Sequence, residues 1–136
     1  HSSASAIKAM FGQSATPSPL PPIAPDVRLP ALLVIHGASD HVVAPSNGAE
    51  AAMRWGERVS AKASKPRTVQ RGARYAATIT DYRNKGRIIA TLCEVSRLGH
   101  AWSGGAAGHA YSDPKGPDAS RMIWAFVAKQ FARAKA

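Results

Sequence analysis

The sequence predicts an α/β fold, and three observations carry that expectation. Ala31–His36 is an unbroken apolar run, the pattern of a parallel strand covered on both faces. Amphipathic stretches follow it from Asn47 onward and again from Ala119 to Val127. Tyr75–Tyr82 and Arg87–Val95 read as two more strands, so that strand, helix, strand, strand and helix alternate along the chain. About three strands make a small sheet for a complete doubly wound domain. The first of them reads as central, yet nothing upstream supplies its second neighbour. The expected architecture is therefore the later part of an α/β sheet with flanking helices, incomplete without a preceding half.

Residues 1–30 form a first region. Ala4, Ile7, Ala9 and Met10 suit a short helix, and six prolines between Gly12 and Pro30 then impose an extended, stiff connection. Residues 31–136 form the body. Gly37 is expected to permit a tight turn after the first strand. Asn47 and Glu50 have the spacing of a capping pair that opens a helix. The inward stripe of that helix would be Ala49, Ala52, Met53, Gly56, Val59 and Ala63, with Pro66 ending it. Asn84-Lys85-Gly86 supplies hairpin chemistry between the second and third strands. Gly116-Pro117 would start the last helix, with Ala119, Met122, Ile123, Phe126 and Val127 turned inward.

At 136 residues and 45% apolar content, the chain is long enough for one domain with a single core. No apolar run approaches the ~20 residues of a membrane span, so no membrane partner is expected. The formal net charge is +10, and Arg54–Arg97 alone holds eleven basic residues against three acids. Such a field attracts anions. No nucleic-acid motif accompanies it, and Trp55, Tyr75 and Tyr82 are not laid out as a stacking platform. A solvated arginine-rich surface is the expected reading, with nucleic acid an unexpected partner and a non-enzymatic basic binding module the rival. Cys93, the single cysteine, rules out an internal disulfide and reads as a buried strand thiol. The chain opens on His1 with no visible signal peptide, which suggests processing, an artificial boundary or a piece of something longer.

Asp40 falls just past the first strand, where α/β folds place functional groups. His100 follows the strand that ends near Val95. A carboxylate and a histidine in this order, each after a strand, match the second half of a Ser…Asp…His hydrolase order. The Gly-x-Ser-x-Gly elbow that would supply the serine does not occur. Ser103 lies only three residues from His100 on a glycine-rich loop, so a loop-shaping or substrate-rim role is expected of it. Trp102 is a candidate to line an acyl or polymer pocket, or to anchor the loop. His36 is expected to make a structural hydrogen bond, His41 to be exposed, and Asp113 and Asp118 to serve turns or caps. His100, His109 and Asp113 match no familiar ligand spacing, so no metal is expected.

Three stretches resemble the poly(3-hydroxybutyrate) depolymerase, or PHB-type esterase, family. They are Ile35-His36-Gly37-Ala38-Ser39-Asp40-His41-Val42-Val43 with Pro45-Ser46-Asn47-Gly48, Gly99-His100-Ala101-Trp102-Ser103-Gly104-Gly105, and Tyr111 through Ser120. Ser2 to Met10 is similar to the region soon after that family's nucleophile strand. The His-Gly-x-x-Asp piece is common among α/β-hydrolases, whereas Gly-His-Ala-Trp-Ser-Gly-Gly is far more specific. The resemblance implies the C-terminal portion of an α/β-hydrolase with a Ser–Asp–His triad, Asp40 its acid and His100 its base. It implies hydrolysis of polyester or small ester substrates, no cofactor, and an extracellular setting. Feruloyl and acetylxylan esterases are relatives and form the alternative substrate class. Without the serine and oxyanion-hole donors, which would precede His1, this piece alone is expected to be inactive. Its exposed sheet edge is expected to favour homo-oligomers.

Overall fold

The computed structural model describes residues 3–13, 20, 21, 23, 24 and 27–135. It is a mixed α/β structure. The elements are α1 (Ser3–Met10), β1 (Leu32–Gly37), α2 (Pro45–Glu57), β2 (Lys62–Ala63), β3 (Arg67–Val69), β4 (Ala77–Asn84), β5 (Arg87–Val95), β6 (Trp102–Ser103), β7 (Ser112–Asp113) and α3 (Ala119–Ala134). Much of the expected proline-rich connection falls outside the described residues. Where it re-enters them it is tied down: the Leu29 and Pro30 carbonyls accept from Arg87 and from the Trp55 indole, at 3.1 and 2.9 Å.

The main sheet runs β1-β5-β4-β2, with β3 also on β4. Two of its strands escape sequence reading, since β2 and β3 are only two and three residues long and wholly exposed. β4 and β5 form the expected hairpin. Lys85 and Gly86 occupy its tip at φ +49° and +75°, the left-handed pair that a tight two-residue turn requires. The hairpin places β5, not β1, in the centre. Among the described residues β1 pairs only with β5, in parallel, and its residues through His36 are half-buried. The apolar run predicts a strand covered on both faces, with one edge left open where a preceding half is lacking. Among the described residues β5 is the one strand beside it, and its other edge is unpaired.

β5 alternates between two cores. Cys93 and Val95 pack with Ala77 and Leu98 on one face, and Ala90 and Leu92 pack with Ala52 of α2 on the other. α2 differs from expectation at both ends. It begins at Pro45, with Ala44 in the cap position and no side-chain cap. Proline at the first turn has no N–H to satisfy, so the start needs no Asn47 cap. The Asn47 amide instead donates to the Ala9 and Met10 carbonyls and moors α1. Glu50 pairs with Arg54 at 2.8 Å. The helix stops at Glu57, well before Pro66, as the Ala61 N–H turns back to the Gly56 carbonyl and Ser60 takes φ +55°. Met53, expected inside, is 42% exposed, and Ala63 is on an exposed strand. α3 starts after Asp118, whose carboxylate accepts from the Arg121 N–H at 2.9 Å, so Pro117 precedes the helix instead of opening it. Ala119 is buried there, but Ile123 is 37% exposed.

Candidate active site

Parallel register fixes the site. Gly37 is opposite Val95, so β1 and β5 end together, and the residues after each strand meet. The Ala38 N–H donates to the Val95 carbonyl and the Ser39 N–H to the Leu98 carbonyl, at 2.8 and 2.9 Å. Gly37 serves this junction by lacking a side chain. A Cβ there would fall on the carbonyl oxygens of Leu98 and Gly99. The turn expected of Gly37 needs no left-handed backbone, and close approach is what excludes other residues.

Across this junction His100 Nδ1 lies 3.0 Å from Asp40 Oδ2. Asp40 is buried at 7% exposure, while the His100 side chain remains 44% exposed. The other oxygen, Asp40 Oδ1, accepts from the backbone N–H groups of Val42 and Val43, each at 2.9 Å. Desolvation is the largest influence on this carboxyl and pushes it up. The hydrogen bonds from Val43, His100 and Val42, with the His100 charge, outweigh it, and Asp40 is held below its ordinary value. An ionised Asp40 accepts from His100 Nδ1–H, which makes Nε2 the basic nitrogen of the neutral ring.

His36 is more involved than the expected structural hydrogen bond. Its Nε2 donates to the Val43 carbonyl at 3.0 Å and also lies 3.3 Å from Asp40 Oδ2. Two histidines thus converge on one carboxylate oxygen. The His36 ring fits because Gly48 of α2 has no side chain; a Cβ there would sit 2.6 Å from His36 Nδ1. Tyr111, which begins the third resembling stretch, is not singled out by the sequence as a site residue. Its ring meets the His100 ring edge-on, centroids 5.8 Å apart at 85°. No local pattern assigns an aromatic in a glycine-rich loop to this contact.

The loop after β5 is shaped by the parallel pair β6–β7. Trp102 is 51% exposed and its backbone N–H donates to the Tyr111 carbonyl at 2.7 Å. Ser103 is buried at 2%, and its hydroxyl donates to the Pro117 carbonyl at 2.6 Å, which binds the loop to the start of α3. Among the described residues no serine hydroxyl is hydrogen-bonded to His100. His41 is exposed. Asp113 accepts from the Lys115 N–H in a turn and Asp118 caps α3. Among the described residues no three His, Cys, Asp or Glu side chains converge as metal ligands.

Asp40, His36, His100, Trp102, Ser103 and Tyr111 all border an open groove of about 750 Å³. Its other walls are one face of β1, at Leu33 and Ile35, and α3 at Ile123 and Phe126. Its mostly apolar walls with one polar end suit a ligand that has an apolar body. No protein-family model matches the chain, and no curated protein matches it significantly. No described helix is long and apolar enough to cross a membrane.

Proposed function

We propose that this chain carries the acid–base half of a serine-esterase site, on the C-terminal part of an α/β-hydrolase sheet. The observation that supports it is the 3.0 Å contact between His100 Nδ1 and a buried Asp40. The carboxylate orients the ring and balances the imidazolium that forms when His100 takes a serine proton. His100 then returns that proton to the leaving alcohol. The substrate is an ester, by the resemblance a hydroxyalkanoate polyester or oligomer met outside the cell, and the apolar groove beside His100 suits its acyl part. Neither step requires a cofactor. The nucleophile is assigned to a serine outside this chain, since the Ser103 hydroxyl is engaged by Pro117.

The test has two arms. The chain alone is expected to hydrolyse p-nitrophenyl butyrate no faster than a blank. Turnover that vanishes in His100→Ala would assign the nucleophile to this chain instead. Supplied with a segment that carries a Gly-x-Ser-x-Gly strand, from any coding sequence found upstream of His1, the protein is expected to turn the ester over, and His100→Ala or Asp40→Asn to lower kcat by about 10⁴-fold. Full activity of the extended protein with His100→Ala would sink the reading.

A further inference from the structure

On the opposite flank of α3 from the dyad lies a second cavity, of about 470 Å³, between that helix and the face of β3 and β4. Six cations border it: Arg67, Arg71, Arg74, Arg121, Lys129 and Arg133. Two carboxylates face them, Asp81 and Asp118, and both are already engaged. Asp81 accepts from the Thr91 hydroxyl at 2.8 Å and from Arg67 and Arg83 at 2.8 and 3.4 Å. Asp118 caps α3. Arg74 is turned to the Gly116 and Pro114 carbonyls, at 2.7 and 3.4 Å. No ion pair among the described residues engages Arg71, Arg121, Lys129 or Arg133.

Between these cations the lining is apolar. Val69 is 38% exposed, and Ile79, Met122 and Phe126 are only half-buried. Two unmet demands therefore meet in one place. Converging positive charge without counter-ions raises the local potential. Part-covered apolar side chains gain free energy in proportion to the area from which water is removed. A polyanion would answer the first demand alone, and a neutral lipid the second alone.

We infer that this cavity binds a small anionic amphiphile, an apolar chain or ring bearing a carboxylate, sulfate or phosphate. The apolar body lies on Val69, Met122 and Phe126, and the anionic head meets the guanidinium groups of Arg71 and Arg121. This site stands independently of the ester chemistry proposed above.

Calorimetric titration of the whole chain with octyl phosphate tests it, with inorganic phosphate and octyl glucoside as comparators in low salt. Octyl phosphate is expected to bind at least roughly tenfold more tightly than either, since each comparator lacks one of the two contacts. The double variant Arg71→Gln/Arg121→Gln is expected to weaken it about tenfold or more, while Lys8→Gln on α1 leaves it unchanged. Urea melts confirm that the variants fold, and Lys129→Gln/Arg133→Gln provides a second pair on the same rim. Equal binding of octyl glucoside or inorganic phosphate overturns the inference. So does unchanged affinity in both folded double variants, or a single-stranded oligonucleotide that displaces octyl phosphate at lower concentration.

Discussion

Asp40 is the residue on which the candidate site turns, and its ionisation sets a direction for stability. The fold holds its carboxyl below the ordinary value, so the ionised form is favoured in the native state. That contribution is complete above the unfolded value of ~3.9 and is lost as pH falls through the native one. Asp81 acts in the same direction, because the Thr91 hydroxyl and the Arg67 and Arg83 charges outweigh its desolvation. Urea midpoints are therefore expected to hold from pH 6 to about pH 5 and to fall as pH drops further through the ordinary carboxylate value of ~3.9, and to fall less steeply in Asp40→Asn. That variant is also expected to cost about 1–3 kcal/mol at pH 7. An equally steep fall in the variant would refute this role. Cys93 gives a second residue-scale expectation. Burial, with Glu94 nearby, pushes its thiol up to about 11, and its side chain is fully enclosed. The native chain is expected to leave Ellman's reagent unreacted at pH 8 and to react fully in urea. Rapid reaction of the folded chain would contradict the packing of β5.

At the scale of elements, α2 and β1 are fitted to one another through His36 and Gly48. Alanine is the better helix former by about 1 kcal/mol. Even so, Gly48→Ala is expected to destabilise by about 1–3 kcal/mol, because its Cβ meets His36 Nδ1 at 2.6 Å and Val34 Cγ1 at 3.2 Å. A higher melting temperature would show that the His36 ring moves aside freely. The sequence already held much of this level. The β4–β5 hairpin was legible because Lys85-Gly86 is local turn chemistry, and Cys93 in its strand was legible from an apolar run. The limits of α2 were not. The Asn47–Glu50 spacing resembles a cap, but Asn47 finds its acceptors on α1, 38 and 37 residues earlier in the chain. Two-residue strands such as β2 carry no periodicity to read.

Among the described residues the longest unpaired edge of the sheet is that of β1. β1 has a partner on one side only among the described residues, and that edge has no bulge or proline to blunt it. Mass measured by static light scattering is expected to rise with protein concentration. A constant monomer mass over a hundredfold dilution series would remove the edge as a site of self-association. The charge of +10 opposes that association, so added salt is expected to promote it.

The sequence by itself determined a mixed α/β chain, the approximate places of its three long strands and two longer helices, and the order of an acid after one strand and a histidine after a later one. These rest on periodicity and turn chemistry, which act between near neighbours. Only the tertiary structure decided that β5 is central, that His36 shares the Asp40 oxygen with His100, and that Ser103 is turned to Pro117. Each depends on which distant segments share a register. The pairing of Gly37 with Val95 brings two loops sixty residues apart to one end of the sheet, and no local pattern encodes that meeting.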